Sequence, residues 1–213
     1  GPAFYKDKLI FSSTSIGTKA GATYNWNELP YLKMYSAKIG PYGDLNTVES
    51  FAPKLKTSYH DGPVSIDSKN DMIYFTRNNL VKGKTSKSRD GVVNLKIFLG
   101  KLEDDEWKMS GSFRFNSDQY SVGHPSINKD GTVLYFASDM PGGYGKSDIY
   151  FSVLSNGIWS KPFNLGPKIN TEGNEFFPFI SSDGVVYFAS DGHGGLGGLD
   201  VYFSVPEQGI FNS

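Results

Sequence analysis

The sequence contains no cysteine, which excludes disulfide bonds and thiolate metal sites. It also lacks any apolar run of roughly 18 residues, the length that a membrane-spanning helix needs. Acidic and basic residues almost cancel, 22 against 21, so the net charge is −1. Such a small charge attracts neither nucleic acid nor an anionic membrane strongly. We therefore expect no nucleic-acid partner and no direct insertion into a membrane.

What the sequence does contain is enough apolar and aromatic material for a sizeable core. Of its 213 residues, 38% are hydrophobic and 15% are aromatic. A chain of this length and composition can bury a substantial interior, so we expect a globular protein rather than a disordered one.

One phrase is repeated four times along the chain. Each copy has a short apolar run with an aromatic residue (LIFSS, MIYFTRN, VLYFASD, VVYFASD), then a loop, then a second run (LKMYSAKI, LKIFLGKL, DIYFSVL, DVYFSVP). The phenylalanines of the first runs recur at intervals of roughly 50 to 65 residues. Aromatic residues in a later turn also recur, at Trp107, Trp159 and Phe211.

The runs are short, rich in Val, Ile, Tyr and Phe, and bounded by Asp-Gly, Asn-Gly and Gly-Gly, which predicts strands joined by turns. Four strands of about six residues use roughly 50 residues, so one repeat predicts one four-stranded antiparallel sheet. Consecutive apolar positions, as in VLYFAS, indicate strands covered on both faces. These features predict an all-β fold, a β-propeller of at least four blades; a β-sandwich is the alternative.

The predicted propeller forms a single domain over residues 1–213, and the repeats give its approximate blades. These are residues 1–58, 59–120, 121–172 and 173–213, with the last one incomplete. We expect either the N-terminus or further blades of a longer parent protein to complete the ring.

The stretches HPSINKDGTVLYFASDMPGGYGKSDIYFS and YFASDGHGGLGGLDVYFS resemble the TolB-type, WD-repeat-like propeller repeats of Bacteroidota envelope proteins that carry OmpA-like domains. The similarity is dense from about residue 124 to 204. It implies a periplasmic, outer-membrane-associated location and an envelope protein as partner. Some members, including the PorE type, belong to the type IX secretion apparatus. Peptidoglycan would be bound only through a domain absent from these residues.

Two aspartates recur at the same separation in the third and fourth repeats, Asp139 with Asp148 and Asp191 with Asp200. On the strand interpretation each pair lies at one end of a hairpin. The pairs could bind Ca²⁺, or act as acid and base in glycoside hydrolysis. Alternatively, each aspartate accepts hydrogen bonds from turn amides, with the intervening glycines supplying the turn conformation. Repetition favours the turn role, because a catalytic site is normally built once.

No enzyme motif accompanies these aspartates. His60, His124 and His193 lie in different repeats without zinc-site spacing, and a neighbouring-blade contact is the simpler role for the first two. The sequence has no nucleophile elbow, phosphate loop or dinucleotide fingerprint. We therefore expect a protein that is not an enzyme and that needs no cofactor, with calcium as the one ion to consider.

Two long loops differ between the repeats. The first carries Tyr24, Trp26 and Tyr31, aromatic residues of the kind that anchor protein interfaces. The second concentrates basic residues at Lys82, Lys84, Lys87 and Arg89, and a solvated loop is its simpler interpretation.

Three functions remain open from the sequence. The first is a non-catalytic scaffold for protein interaction or assembly in the periplasm, and the second is a propeller that binds or processes glycans. The third, a calcium-stabilised module, is compatible with the first. A central cavity lined by several unpaired carboxylates and aromatic residues would favour the glycan function, whereas a cavity without them would favour the scaffold.

Overall fold

The short β-branched and aromatic runs form strands in a computed structural model that describes residues 2–14 and 29–205. Four antiparallel sheets form a propeller arrangement of four blades, which confirms the predicted fold class. Residues 1, 15–28 and 206–213 lie outside the described part of the chain, and with them Tyr24 and Trp26 of the aromatic loop and the predicted landmark Phe211.

Blades 1 and 2 each contain four strands. Blade 1 has the spatial order β1 to β4, with bounds Ala3–Tyr5, Lys8–Ser13, Lys33–Ile39 and Leu45–Ser50. A 3₁₀ turn, Pro53–Leu55, leads to blade 2. Blade 2 consists of β5 (Asp61–Asp67), β6 (Met72–Asn78), β9 (Leu95–Glu103) and β10 (Glu106–Ser112). The basic loop between β6 and β9 contains a small hairpin that the sequence did not predict, β7 (Leu80–Val81) and β8 (Lys84–Thr85).

Blades 3 and 4 differ at their outer edges. Blade 3 consists of β11 (Val122–Ile127), β12 (Val133–Ser138) and β13 (Asp148–Ser155), and the short strands β14 (Ile158–Trp159) and β15 (Phe163–Asn164) both pair with β13. Blade 4 consists of β16 (Glu175–Ile180), β17 (Val186–Ser190) and β18 (Asp200–Ser204).

The core lies between successive blades. We call the face of a blade that contacts the preceding blade its leading face, and the opposite face its trailing face. Leu134, Phe136 and Tyr150 on the leading face of blade 3 pack against Tyr74 and Ile97 of blade 2. Each interior blade is therefore covered on both sides, as the consecutive apolar positions predicted.

The same packing joins blades 3 and 4. The trailing face of blade 3, with Tyr135 and Ile149, packs against Val186 and Phe188 on the leading face of blade 4. Strand β12 is consequently buried almost throughout. Strand β17 has nearly the same sequence but alternates between buried and more exposed residues, so the prediction of two covered faces is wrong for blade 4 within the described residues.

The first strand of each blade surrounds the propeller axis, and hydrogen bonds join the first strands of blades 2, 3 and 4. The Oγ of Ser65 in blade 2 accepts a bond from the amide of Ile127 in blade 3, at 3.0 Å. The Oγ of Ser126 accepts one from the amide of Ile180 in blade 4, also at 3.0 Å. In the repeated phrase, the corresponding residues of blades 1 and 4 are Phe4 and Phe179, whose side chains have no acceptor. The repeated bond is therefore not available on the trailing side of blade 4.

A buried ionic network joins blades 1 and 2. The Asp61 carboxylate accepts bonds from Arg77 Nε at 2.7 Å and from the Thr57 amide at 2.8 Å, and Lys33 Nζ of blade 1 lies 3.4 Å away. Burial lowers the pKa of Lys33, and the attraction of Asp61 offsets this only in part. Arg77 also packs over the rings of Phe75 and Phe98, 4.8 and 5.3 Å from their centroids.

We expect Arg77→Met to reduce the free energy of unfolding by about 3–5 kcal/mol, because it leaves Asp61 buried without its closest cation. Chemical denaturation monitored by circular dichroism measures this loss. The control is Glu49→Gln, which removes an ion pair between Lys8 and Glu49 at the exposed surface and should leave the midpoint almost unchanged. Equal effects of the two substitutions would contradict a structural role for the buried network.

Candidate functional site

The second aspartate of each recurring pair binds the turn that precedes it. The Asp148 carboxylate accepts bonds from the amides of Tyr144 and Gly145, at 2.6 and 3.0 Å, and from Asn164 Nδ2 at 2.6 Å. Asp200 accepts a bond from the Gly197 amide at 3.1 Å. Both carboxylates thus close the loop between the second and third strands of their blade.

The first aspartate of each pair binds the chain just before the inner strand of its blade. Asp139 accepts a bond from the Ser121 amide at 2.6 Å. Asp191 accepts bonds from the amide and the side chain of Asn174, at 2.6 and 2.8 Å. The pKa of Asp191 is lowered, mainly by the hydrogen bond from the Asn174 side chain. These contacts are those expected of a duplicated structural turn.

Calcium at Asp139, Asp148, Asp191 and Asp200 stays a prediction. Across the described residues, no group of three or more histidine, aspartate or glutamate side chains could together hold a metal ion. A calcium ion would also have to compete with the backbone amides for the oxygens of Asp148.

We expect Asp148→Ala to lower the free energy of unfolding by about 1–3 kcal/mol, because the amides of Tyr144 and Gly145 and the side chain of Asn164 lose their acceptor. The exposed Asp90 provides the control, and Asp90→Ala should have little effect.

We also expect EDTA to leave the wild-type melting temperature unchanged. A decrease on chelation, reversed by added calcium, would show that the hairpins hold the ion.

Each histidine makes its own local contact. His60 Nδ1 accepts a bond from the Leu32 amide of blade 1 at 3.1 Å, and His193 Nε2 lies 2.9 Å from the Ile169 carbonyl oxygen. His124 stacks on Phe177 of blade 4, with ring centroids 4.1 Å apart. His60 and His124 therefore both contact a neighbouring blade.

His124 has an unusual backbone conformation in β11. Its φ is 54°, in the left-handed region, and its amide donates to Thr76 Oγ1 of blade 2 at 2.8 Å. Part of the side chain reaches solvent, but Nδ1 is buried and has no hydrogen-bond partner among the described atoms. Burial lowers the pKa of His124 to about 3. The ring is therefore neutral over the physiological range.

This lowered pKa makes stability depend on pH. Below pH 6.5, the ordinary pKa of histidine, His124 takes up a proton in the unfolded chain but not in the folded one. The free energy of unfolding therefore falls as the pH is lowered from 6.5 towards 3. The free energy of unfolding changes by up to about 1.4 kcal/mol per pH unit in this range. We expect His124→Asn, which tolerates the left-handed conformation, to flatten this dependence in denaturation curves between pH 7 and 4. An unchanged slope would contradict the burial of a neutral His124.

The predicted partner-binding aromatics are only partly described. Tyr24 and Trp26 lie outside the described residues. The ring of Tyr31 packs edge-on against Tyr59 and His60, with centroids 5.6 and 4.8 Å away. Tyr31 thus lies against the start of blade 2, and partner binding by the three aromatics stays a prediction.

A cavity of about 440 Å³ lies where the inner strands of all four blades converge. Equivalent repeat positions face one another there, Phe4, Ser65, Ser126 and Phe179. The other lining residues are Pro2, Ala3, Val64, Pro125, Phe177, Pro178, Tyr187, Phe188, Ala189 and Val201. Among these described residues there is no carboxylate, histidine or lysine. The axial cavity is therefore apolar.

Two further cavities contain carboxylates, most of which have a polar partner among the described residues. One, of about 400 Å³, includes His124, Lys146 and Asp139, and the Asp139 carboxylate accepts the Ser121 amide. The other, of about 350 Å³, lies between blades 1 and 2 over Tyr5, Phe51 and Trp107. At its rim Glu49 pairs with Lys8, Glu106 with Lys54, and Asp7 with Lys38. Asp105 is the fourth carboxylate of this cavity.

The trailing face of blade 4 is the largest departure from the repeat. Phe179, Tyr187 and Phe203 are register partners across β16, β17 and β18, and neighbouring ring centroids lie 6.2 and 6.0 Å apart. We call these three residues the aromatic row. Val201, on the same face, pairs with Ala189.

Equivalent residues of blade 3 and blade 4 differ sharply in burial. In blade 3, Tyr135 is 4% exposed and Ile149 is 0% exposed, because blade 4 covers them. In blade 4, Tyr187 is 39%, Val201 76% and Phe203 66% exposed. Blade 4 has the apolar residues that are typical of a covered trailing face, but no described residue covers this face.

The comparisons with known proteins concern the fold. No protein-family model matches the sequence, and no curated protein does either. The chain is similar to a thermostable family-43 glycoside hydrolase, with 15% identity and a TM-score of 0.55, over 98% of this chain and 72% of that one. It is also similar to TolB from Acinetobacter baumannii, with 16% identity and a TM-score of 0.47, over 81% of this chain. The chain spans about a third, 34%, of TolB.

At such low identity these similarities extend to the β-propeller fold and not to activity. Over residues 2–14 and 29–205, no helix has the length and apolar character needed to cross a membrane.

Proposed function

We propose that this chain is a non-catalytic β-propeller scaffold that binds protein partners in the periplasm, at the periphery of the outer membrane. The observation that carries the proposal is the open trailing face of blade 4 with its aromatic row. The periplasmic location rests on the resemblance of the repeats to envelope propellers. On the same resemblance, the scaffold would belong to an OmpA-like protein, such as one of the secretion-associated PorE type, whose peptidoglycan contact lies in another domain.

An exposed aromatic face of this kind favours association. Burying a Phe or Tyr side chain removes roughly 150–250 Å² from water, and aromatic residues dominate the binding energy of protein interfaces. Contiguous exposed apolar patches are uncommon on soluble monomers and typically mark interaction sites. The aromatic row and Val201 form such a patch, and Phe4, 71% exposed, lines the same axial cavity as Phe179, Tyr187 and Val201.

The chemistry of the cavities supports a non-catalytic role. Glycoside hydrolysis usually needs two carboxylates facing the scissile bond, one of them free to act as a base or nucleophile. The axial cavity has none among its described lining residues, and the single carboxylate of the cavity beside His124 accepts a backbone bond.

Glycan binding is the second candidate, and the cavity between blades 1 and 2 favours it. Its floor of Tyr5, Phe51 and Trp107 has ring centroids 5.7 to 6.3 Å apart, and charged side chains surround it. Aromatic rings below polar groups suit a sugar. Trp107 is buried, however, so only the partly exposed Tyr5 and Phe51 could stack on a ligand.

The scaffold function predicts a position-dependent contact in the native envelope. We expect a photoreactive benzoylphenylalanine in place of Phe203 to give a discrete protein adduct in cells of the source bacterium. The same group in place of Met109, exposed on blade 2, is the control and should give little adduct. Adducts are read by immunoblotting and mass spectrometry.

Equal labelling from both positions, or none from position 203, would contradict protein binding at blade 4. Binding of soluble cell-wall oligosaccharides in calorimetry, abolished by Tyr5→Ala, would favour the glycan function instead.

A further inference from the structure

The long loop of blade 2 is a second exposed surface, and the repeat does not explain it. We propose that this basic loop, residues 79–94, binds an acidic segment of a partner protein, and that the segment also carries aliphatic side chains. The inference rests on the proposed function in that the chain binds protein. It adds a surface outside blade 4 and names the chemistry of the partner.

The basic loop is an addition to the repeat, and its backbone is folded. Sixteen residues separate β6 from β9, whereas nine separate the equivalent strands of blades 3 and 4. A bond of 2.8 Å from the amide of Asn79 to the carbonyl oxygen of Asn94 joins its two buried ends. Between them lie the β7–β8 hairpin and a turn closed by bonds between Ser88 and Val92, at 2.8 and 3.1 Å. A preformed loop loses little conformational entropy on binding.

Hydrogen bonds also fix the loop to the chain that enters blade 3. Asn79 Nδ2 donates to Asp118 Oδ1 at 2.9 Å, and Asn94 Nδ2 donates to the Asp118 carbonyl oxygen at 3.0 Å. The amide of Arg89 donates to Gln119 Oε1 at 3.3 Å. The Asp118 carboxylate pairs with Lys96, which lies outside the loop. This carboxylate is therefore part of the base and has its own cation.

The loop concentrates positive charge in a protein that is otherwise acidic. Four cations and one carboxylate, Asp90, give it a net charge of +3, so the remaining residues carry −4 in a chain of −1. The four cations are exposed, and none of them forms an ion pair with a carboxylate of the described chain: Lys82, Lys84, Lys87 and Arg89. Their charge is therefore available to an acidic partner.

The same loop exposes two aliphatic side chains. Val81 is 53% and Val92 is 54% exposed. Val81 is the register partner of Lys84 in the hairpin, so an apolar and a charged side chain lie next to each other. A segment that contains both carboxylates and Leu, Ile or Val side chains matches this combination.

The distribution of charge favours a short segment over a large anionic surface. At physiological ionic strength, exposed charges act over about 8 Å, so a segment of the loop's own size meets mainly the +3 of the loop. A membrane or a nucleic-acid duplex is wider than the loop and would also meet the acidic remainder of the chain. In addition, the loop has no aromatic residue on which a nucleic-acid base could stack.

Fluorescence anisotropy of the purified chain with a labelled 12-residue peptide of alternating acidic residues and leucine tests the inference. We expect saturable binding that weakens as NaCl is added. A loop variant replaces the four cations with glutamine and should bind at least about tenfold more weakly, because four charge contacts are lost. Its substitutions are Lys82→Gln, Lys84→Gln, Lys87→Gln and Arg89→Gln.

The matched control changes the net charge by the same amount outside the loop. It replaces four exposed lysines with glutamine: Lys101, Lys129, Lys161 and Lys168. This variant should bind the peptide within about twofold of the wild type, because exposed charges beyond the Debye length are screened. Circular dichroism verifies that both variants are folded.

A second peptide, with serine in place of leucine, tests the aliphatic contact. The wild type should bind the leucine peptide about threefold more tightly than the serine peptide, since only the former can bury apolar surface on the valines. The double variant Val81→Ser/Val92→Ser should lose this preference.

No saturable binding, an equal loss in the loop variant and the control, or equal affinity of the wild type for the two peptides would overturn the inference. Tighter, loop-dependent binding of a DNA duplex, or of phosphatidylcholine vesicles with 30% phosphatidylglycerol, would overturn it in favour of nucleic acid or a membrane. If position 203 gives an adduct but the loop variant binds the peptide like the wild type, the scaffold function stands and the loop inference fails. If the loop passes these tests and position 203 gives no adduct, protein binding belongs to the loop and not to blade 4.

Discussion

Burial of two apolar faces per sheet is the constraint on which this structure depends. A blade of three or four strands with aromatic and branched residues on both faces cannot be stable alone in water, so each blade needs a neighbour on either side. Phe136 and Tyr135 are adjacent in β12, yet one contacts blade 2 and the other blade 4. Because the requirement is the same for every blade, the trailing face of blade 4 needs a neighbour too, and no described residue covers it.

Polar groups determine how the blades are placed once the apolar faces meet. The Oγ atoms of Ser65 and Ser126 accept one amide each from the next inner strand, and the network of Asp61, Arg77 and Lys33 holds the first contact between blades. The recurring aspartates act within blades, where they bind the turn amides and the chain before the inner strand. These polar side chains thus stabilise the fold, and the surface that blade 4 leaves for association is apolar.

The sequence predicted the strands, the blades and the turn role of Asp148 and Asp200 because these depend on local patterns that recur in each repeat. It could not predict the Asp61 network, whose members are brought together from separate parts of the chain. Nor could it predict that VVYFAS would have one open face when VLYFAS has none, because burial depends on the neighbouring sheet and not on the strand itself. Phe179 replaces the serine of blades 2 and 3, but Phe4 does the same in blade 1, whose trailing face is covered by blade 2.

The difference between these two strands can be measured directly. Hydroxyl-radical footprinting of the dilute chain, analysed by mass spectrometry, compares Tyr135 with Tyr187, the same repeat position in blades 3 and 4. The account predicts strong protection of Tyr135 and ready oxidation of Tyr187. Equal protection of both tyrosines in the monomer would contradict it, because it would mean that the trailing face of blade 4 is already covered within a single chain.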